Sequence, residues 1–87
     1  MSMDMQAKIR AALKQHGRMS LDALTLATTA DLYEAGMTSH ASVNVMLALE
    51  EAFEVEFPDH LLKRSVFASI EAISQALQEI GVGKAGA

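Results

Sequence analysis

Cysteine is absent from this sequence, and aromatic residues make up only 5% of its 87 residues. Without cysteine there is no disulfide framework, no thiolate metal site and no cysteine nucleophile. No apolar run approaches the roughly 20 residues of a membrane-spanning helix. The N-terminus shows no basic stretch followed by an apolar one, so no signal peptide is visible and a cytoplasmic protein is expected. Runs with strand-forming alternation are missing as well. Positive charge is the most unevenly distributed absence: no Lys or Arg lies between Met19 and Leu62. That interval carries Asp22, Asp31, Glu34, Glu50, Glu51, Glu54, Glu56 and Asp59. An all-acidic segment repels phosphate backbones, which argues against nucleic acid as a partner. It favours encounter with basic proteins and mainly raises their on-rates.

What remains is a helix-forming mixture. Ala, Leu and Met are common, 51% of residues are hydrophobic and 21% are charged, enough for one small domain with a core. The first helix is expected over about residues 4–16, with Met5, Ile9, Ala12, Leu13 and His16 on one face, Asp4 at its start and Gly17 at its stop. A connection of roughly twenty residues follows, long for a compact domain. Its Leu21, Leu24, Leu26 and Leu32 are expected to fold back onto the core.

A second helix is expected from Ser39 to Glu54. At about 100° per residue, Ser42, Met46, Leu49 and Phe53 share a core stripe with Val45 at its margin. Val43 and Leu47 form a small apolar pair on the flank, suited either to the core edge or to a docking partner. Pro58 turns the chain after an extended "EVEF" connector. Asp59 is expected to cap a short third helix, residues 60–64. The last helix is expected over 70–80, with Ser69 as N-cap, Ile70, Ile73, Leu77 and Ile80 as its stripe, and Gly81 as its stop. Three substantial helices and one short one predict a small all-α bundle, a domain over 1–80 with a flexible tail over 81–87.

Catalytic constellations are missing from this framework. His16, His40 and His60 have no close ligand spacing, which gives no reason to expect a zinc site. No glycine-rich phosphate loop occurs: Gly36 is isolated, and Gly81, Gly83 and Gly86 lie in the tail. Ser39 beside His40 suggests a nucleophile and base, but adjacent side chains rarely aim at each other and no third orienting group is evident. Being modified suits Ser39 better. A phosphate linked there would sit at a helix N-terminus, where free N–H groups and the helix dipole favour it. The competing reading makes Ser39 an N-cap and the chain an unmodified helical interaction module.

The stretch "DLYEAGM" before Ser39, then "VNVMLALEEAF", "FP" and "FASIEAI", resembles the acyl carrier protein family over roughly residues 9–80. By that resemblance the fold is a four-helix bundle and Ser39 carries 4′-phosphopantetheine as a phosphodiester. A phosphopantetheinyl transferase would install it from coenzyme A, and its thiol would hold cargo as a thioester. The protein would be a substrate for enzymes rather than an enzyme, and a monomer. Positions matching the family's partner surface are Val43, Leu47, Glu50 and Glu51, with Thr38 and His40 flanking the serine. Family members usually read Asp-Ser-Leu where this chain has Thr38-Ser39-His40, a departure that implies a dedicated enzyme set. The combined pattern "SxASV…ML…EEAF…EFPD.LL.R..FASI.AI" looks closest to bacterial aminoacyl carrier proteins. In that group an amino acid:[carrier protein] ligase, similar to the catalytic core of a class II aminoacyl-tRNA synthetase, loads the arm. The runner-up is a fatty-acyl or polyketide-type cargo delivered by an acyl-transfer enzyme.

Overall fold

The computed structural model describes residues 3–17 and 24–81, with side chains described from Met5 onward. Three α-helices carry the fold: α1 over Met3–His16, α2 over Ser39–Phe53 and α3 over Ile70–Ile80. Two 3₁₀ turns, Asp59–Leu61 and Arg64–Phe67, occupy the stretch between α2 and α3. α1 packs against both other helices, and α3 also packs on the second 3₁₀ turn. None of the described helices is long and apolar enough to cross a membrane.

The core forms where the apolar stripes converge. Ile9 and Leu13 from α1, Val45 and Leu49 from α2, and Ile70, Ile73 and Leu77 from α3 are fully buried. Each such side chain contributes about 1.5–3 kcal/mol of transfer free energy. Met5 and Ala12 are buried as the periodicity of α1 predicts, His16 is half-buried, and Ile80 is half-buried at the end of α3. A buried hydroxyl joins α1 and α3, as Ser74 donates to the Met5 thioether at 3.2 Å.

On α2 the stripe differs from the periodicity reading. Ala41, Ser42, Val45 and Leu49 are buried, whereas Met46 and Phe53 are half-buried. Val45 is therefore a central core residue rather than a marginal one. Ala41, Val45 and Leu49 follow one another at four-residue spacing, so the buried face of α2 is centred on that row.

The long connection does fold back, though not through every leucine. Leu32 is fully buried and Leu26 packs against the core, but Leu24 is 48% exposed, and Leu21 lies outside the described residues. Backbone bonds, not leucines alone, hold this segment. Leu32 N–H donates to the Ala68 carbonyl at 2.7 Å, and Glu71 N–H donates to the Thr28 carbonyl at 2.9 Å. The Arg10 guanidinium donates to the Leu26 carbonyl at 2.7 Å, fastening the same segment to α1.

Helix ends follow local chemistry. The Ser69 hydroxyl accepts from Ala72 N–H at 3.0 Å, so it caps α3, and Gly81 ends that helix at φ +119°. Of the expected tail over 81–87, Gly81 closes α3 and residues 82–87 lie outside the described residues. The expected short helix over 60–64 is replaced by the two 3₁₀ turns, and Pro58 rather than Asp59 precedes the first of them. The Asp59 side chain makes no capping bond there, since three residues of 3₁₀ geometry offer no α-helical N-terminus to cap.

Helix α2 ends one residue earlier than expected, at Phe53, because Glu54 takes the left-handed conformation, φ +54° and ψ +47°. Val55 N–H then closes onto the Glu50 carbonyl at 3.0 Å, a Schellman-type ending usually given to glycine. Glu54 is exposed and its side chain makes no hydrogen bond among the described residues. Glu54→Gly is therefore expected to raise the unfolding free energy by about 0.5–1 kcal/mol. Urea denaturation measures it; a fall in midpoint would show that the side chain outweighs the backbone cost.

Candidate functional site

The sequence before Ser39 builds a rigid approach to it. Asp31 Oδ1 accepts from Tyr33 N–H at 2.9 Å and from Glu34 N–H at 3.3 Å, starting a turn at "DLYEAGM". Leu32 enters the core, and Gly36, at φ +113°, reverses the chain where a side chain would be strained. Met37 is buried and donates its N–H to the Leu32 carbonyl at 3.0 Å, which seats the first turn of α2 against the body.

Capping then settles which residue is left free. Thr38 is the N-cap: its Oγ1 accepts from Ala41 N–H at 3.0 Å, and its carbonyl accepts from Ser42 N–H at 2.9 Å. Ser39 is the first helical residue and not the cap. It is exposed, and its hydroxyl makes no hydrogen bond among the described residues. Its carbonyl is held by the Ser42 hydroxyl at 2.6 Å, so the backbone beneath the free hydroxyl is fixed. The first turn of α2 contains no acid, so nothing there offsets the positive end of the helix.

Beside Ser39 runs an open groove of about 400 Å³. Ser42, Val43 and Met46 of α2 form one wall, and Leu62 and Phe67 belong to the other, with Tyr33 also lining it. Lys63 and Arg64 line it too, and the Arg64 guanidinium stacks 4.0 Å from the Tyr33 ring centre. No acidic side chain lines the groove. An exposed, unbonded hydroxyl at an uncompensated helix N-terminus, opening on an apolar groove with cationic residues, fits a phosphate-linked organic arm.

The residues expected on a partner surface separate into two kinds. Val43 and Leu47 are each 51% exposed, and with Ser39 and Glu51 they follow one another at four-residue spacing along α2. His40 and Glu51 are exposed. Glu50 is half-buried, and its carboxylate accepts from Phe57 N–H at 2.8 Å. It therefore anchors the connector that brings Phe57 against Phe67, whose ring centres lie 5.4 Å apart. Sequence reading passed over Tyr33, Met46, Leu62, Lys63 and Arg64 as site residues. One signal was present: Lys63 and Arg64 are the first basic residues after the acidic segment.

Comparisons with known proteins point the same way. Residues 7–77 match the family model described as a phosphopantetheine attachment site. The chain is 49% identical over 83 residues to an aminoacyl carrier protein of Agrobacterium fabrum, covering 95% of this chain and 100% of that one. Among solved structures, it is similar to a chain in the complex of an engineered Bradyrhizobium japonicum glycine:[carrier protein] ligase with a carrier protein from Agrobacterium tumefaciens and ATP. That match has a TM-score of 0.84 at 50% identity and covers 87% of this chain and 99% of the other. A chain in the complex of the Bradyrhizobium japonicum ligase with glycylated carrier protein matches with a TM-score of 0.72 at 25% identity, covering 84% and 97%.

Proposed function

Because the chain belongs to the phosphopantetheine-attachment family of carrier proteins, we propose that it bears 4′-phosphopantetheine on Ser39 and receives an amino acid on that arm as a thioester. The observation that carries this reading is the division of labour at the start of α2. Thr38 supplies the cap, which leaves the Ser39 hydroxyl exposed and unbonded at a fixed point of backbone. The missing base and orienting group beside Ser39 are then no defect, since the chain is a carrier and the chemistry belongs to the enzymes that visit it.

The arm supplies a thiol, the nucleophile this cysteine-free chain does not have. The chain's own residues present and orient. A phosphopantetheinyl transferase needs the hydroxyl within reach, and Val43, Leu47 and Glu51 continue the row of α2 that begins at Ser39. Val43 and Leu47 offer apolar contact and Glu51 a charge for steering, with Thr38 and His40 on either side of the attachment point. Glu50 acts on this surface through the connector it holds rather than as a free charge.

An amino acid:[carrier protein] ligase is the enzyme this carrier serves, and glycine is the cargo suggested by the relatives solved with glycine:[carrier protein] ligase. Holo protein incubated with such a ligase, ATP and labelled glycine is expected to acquire label that hydroxylamine releases. Exclusive loading with fatty-acyl groups by an acyl-transfer enzyme would replace the aminoacyl reading with the second one, which the apolar lining of the groove favours.

A further inference from the structure

Lys63 and Arg64 are the only Lys or Arg residues between Met19 and Gly83. In a segment so acidic, two adjacent cations would be expected to find carboxylates. Neither lies within ion-pair distance of a carboxylate among the described residues, and the nearby His60 imidazole, not either cation, meets Glu79 at 3.1 Å. Both instead line the groove on which Ser39 opens. Arg64 is further confined, since its guanidinium rests 4.0 Å from the centre of the Tyr33 ring, another groove residue. Lys63 takes an extended conformation at φ −128° and ψ +150° immediately before the second 3₁₀ turn, so the two residues occupy a geometrically defined corner.

We propose that Lys63 and Arg64 form an anion-binding site for the phosphodiester joined to Ser39, holding the root of the arm against the groove. The inference rests on Ser39 being the attachment residue. The occupant is chosen by charge and by continuity. A phosphodiester is a permanent anion, it is tethered to a hydroxyl lining the same groove, and no carboxylate on that lining competes for the cations. A guanidinium suits two phosphate oxygens at once, and an ammonium adds a point charge. Pairing by Arg64 would hold the root of the arm beside Met46 and Phe67 of the apolar lining. The arm would therefore leave the carrier from one preferred direction.

The test uses holo protein made by coexpression with a phosphopantetheinyl transferase, its adduct verified by intact mass. Phosphorus NMR is then recorded for the wild type, for K63Q/R64Q and for the charge-preserving K63R/R64K. Wild-type resonance is expected to move as salt rises from about 0.01 to about 1 M, because the screening length falls from about 30 to about 3 Å. The charge-preserving variant should keep that response, and K63Q/R64Q should lose it and start near the high-salt position. Amide resonances of residues 62–67 should shift between apo and holo wild type. Should the double neutral variant lose its fold, R64Q and K63Q measured singly are each expected to show a reduced response. A verified adduct with equal phosphorus resonance and salt response in wild type and neutral variants would overturn the proposal. Apo-to-holo amide shifts confined to the residues flanking Ser39 would overturn it as well. Failure to form the adduct at all would instead remove the Ser39 reading, and this one with it.

Discussion

Replacing Ser39 with alanine is expected to abolish the phosphopantetheine adduct completely and leave the fold intact. Coexpression with a broad-specificity transferase should add the arm to every wild-type molecule competent to receive it and to no Ser39→Ala molecule. Two features of α2 make the expectation sharp. The Thr38 side chain, not that of Ser39, satisfies the free Ala41 N–H, so the substitution removes no cap. The Ser39 hydroxyl is exposed and unbonded among the described residues, so it leaves no orphaned partner behind. Alanine is also the better helix former, and the melting temperature should stay within about 2 °C of wild type. Intact mass and a thermal melt decide it. An undiminished adduct on Ser39→Ala would move the attachment elsewhere; a large loss of stability would mean the hydroxyl has a structural job.

Leu47→Glu and Leu49→Ala should have opposite consequences although the two residues are two positions apart on one helix. Leu47 is 51% exposed and Leu49 is fully buried. Truncating Leu49 removes three side-chain carbons, Cγ and its two methyls, from the centre of the core and leaves a cavity, at a cost of about 2–5 kcal/mol. A chain of this length has roughly 4–13 kcal/mol of stability in total, so that loss takes a large share of it. Leu47→Glu should change stability by about 0.5 kcal/mol or less, because the site is already half in water. It places a charge in the apolar row next to Ser39, however, and loading by the ligase should fall at least about tenfold if Leu47 meets a desolvated pocket. Denaturant melts read the first effect, and initial rates of hydroxylamine-labile labelling read the second. A Leu47→Glu protein that melts early would return Leu47 to the core edge and remove it from the docking surface.

Much of the fold was legible because its signals are local. The bounds of α3 are predicted correctly by a serine cap, an apolar stripe of period 3.6 and a glycine stop, all within thirteen consecutive residues, Ser69–Gly81. The site's family was legible for a related reason: "DLYEAGM", Ser39 and "LEEAF" lie at fixed separations along one stretch of chain. Elsewhere local signals misled. Asp59 looks like a helix cap, but the segment after it cannot complete an α-helical turn before Leu61 is drawn into the core. Glu50 looks like one more surface acid, yet a chain reversal after Glu54 brings Phe57 N–H within 2.8 Å of its carboxylate.

By itself the sequence determined three helices, an acidic middle and a serine in a carrier-like setting, because periodicity, capping and charge run along the chain. Tertiary structure alone decided what surrounds that serine. Arg64 and Tyr33 are thirty-one positions apart, and nothing in the spacing of either announces that they stack. They meet because Leu32 N–H bonds to the Ala68 carbonyl and Leu32 and Phe67 share one core, which draws the long connection onto the second 3₁₀ turn. A groove is the space between such elements, so it exists only once packing has set their separation.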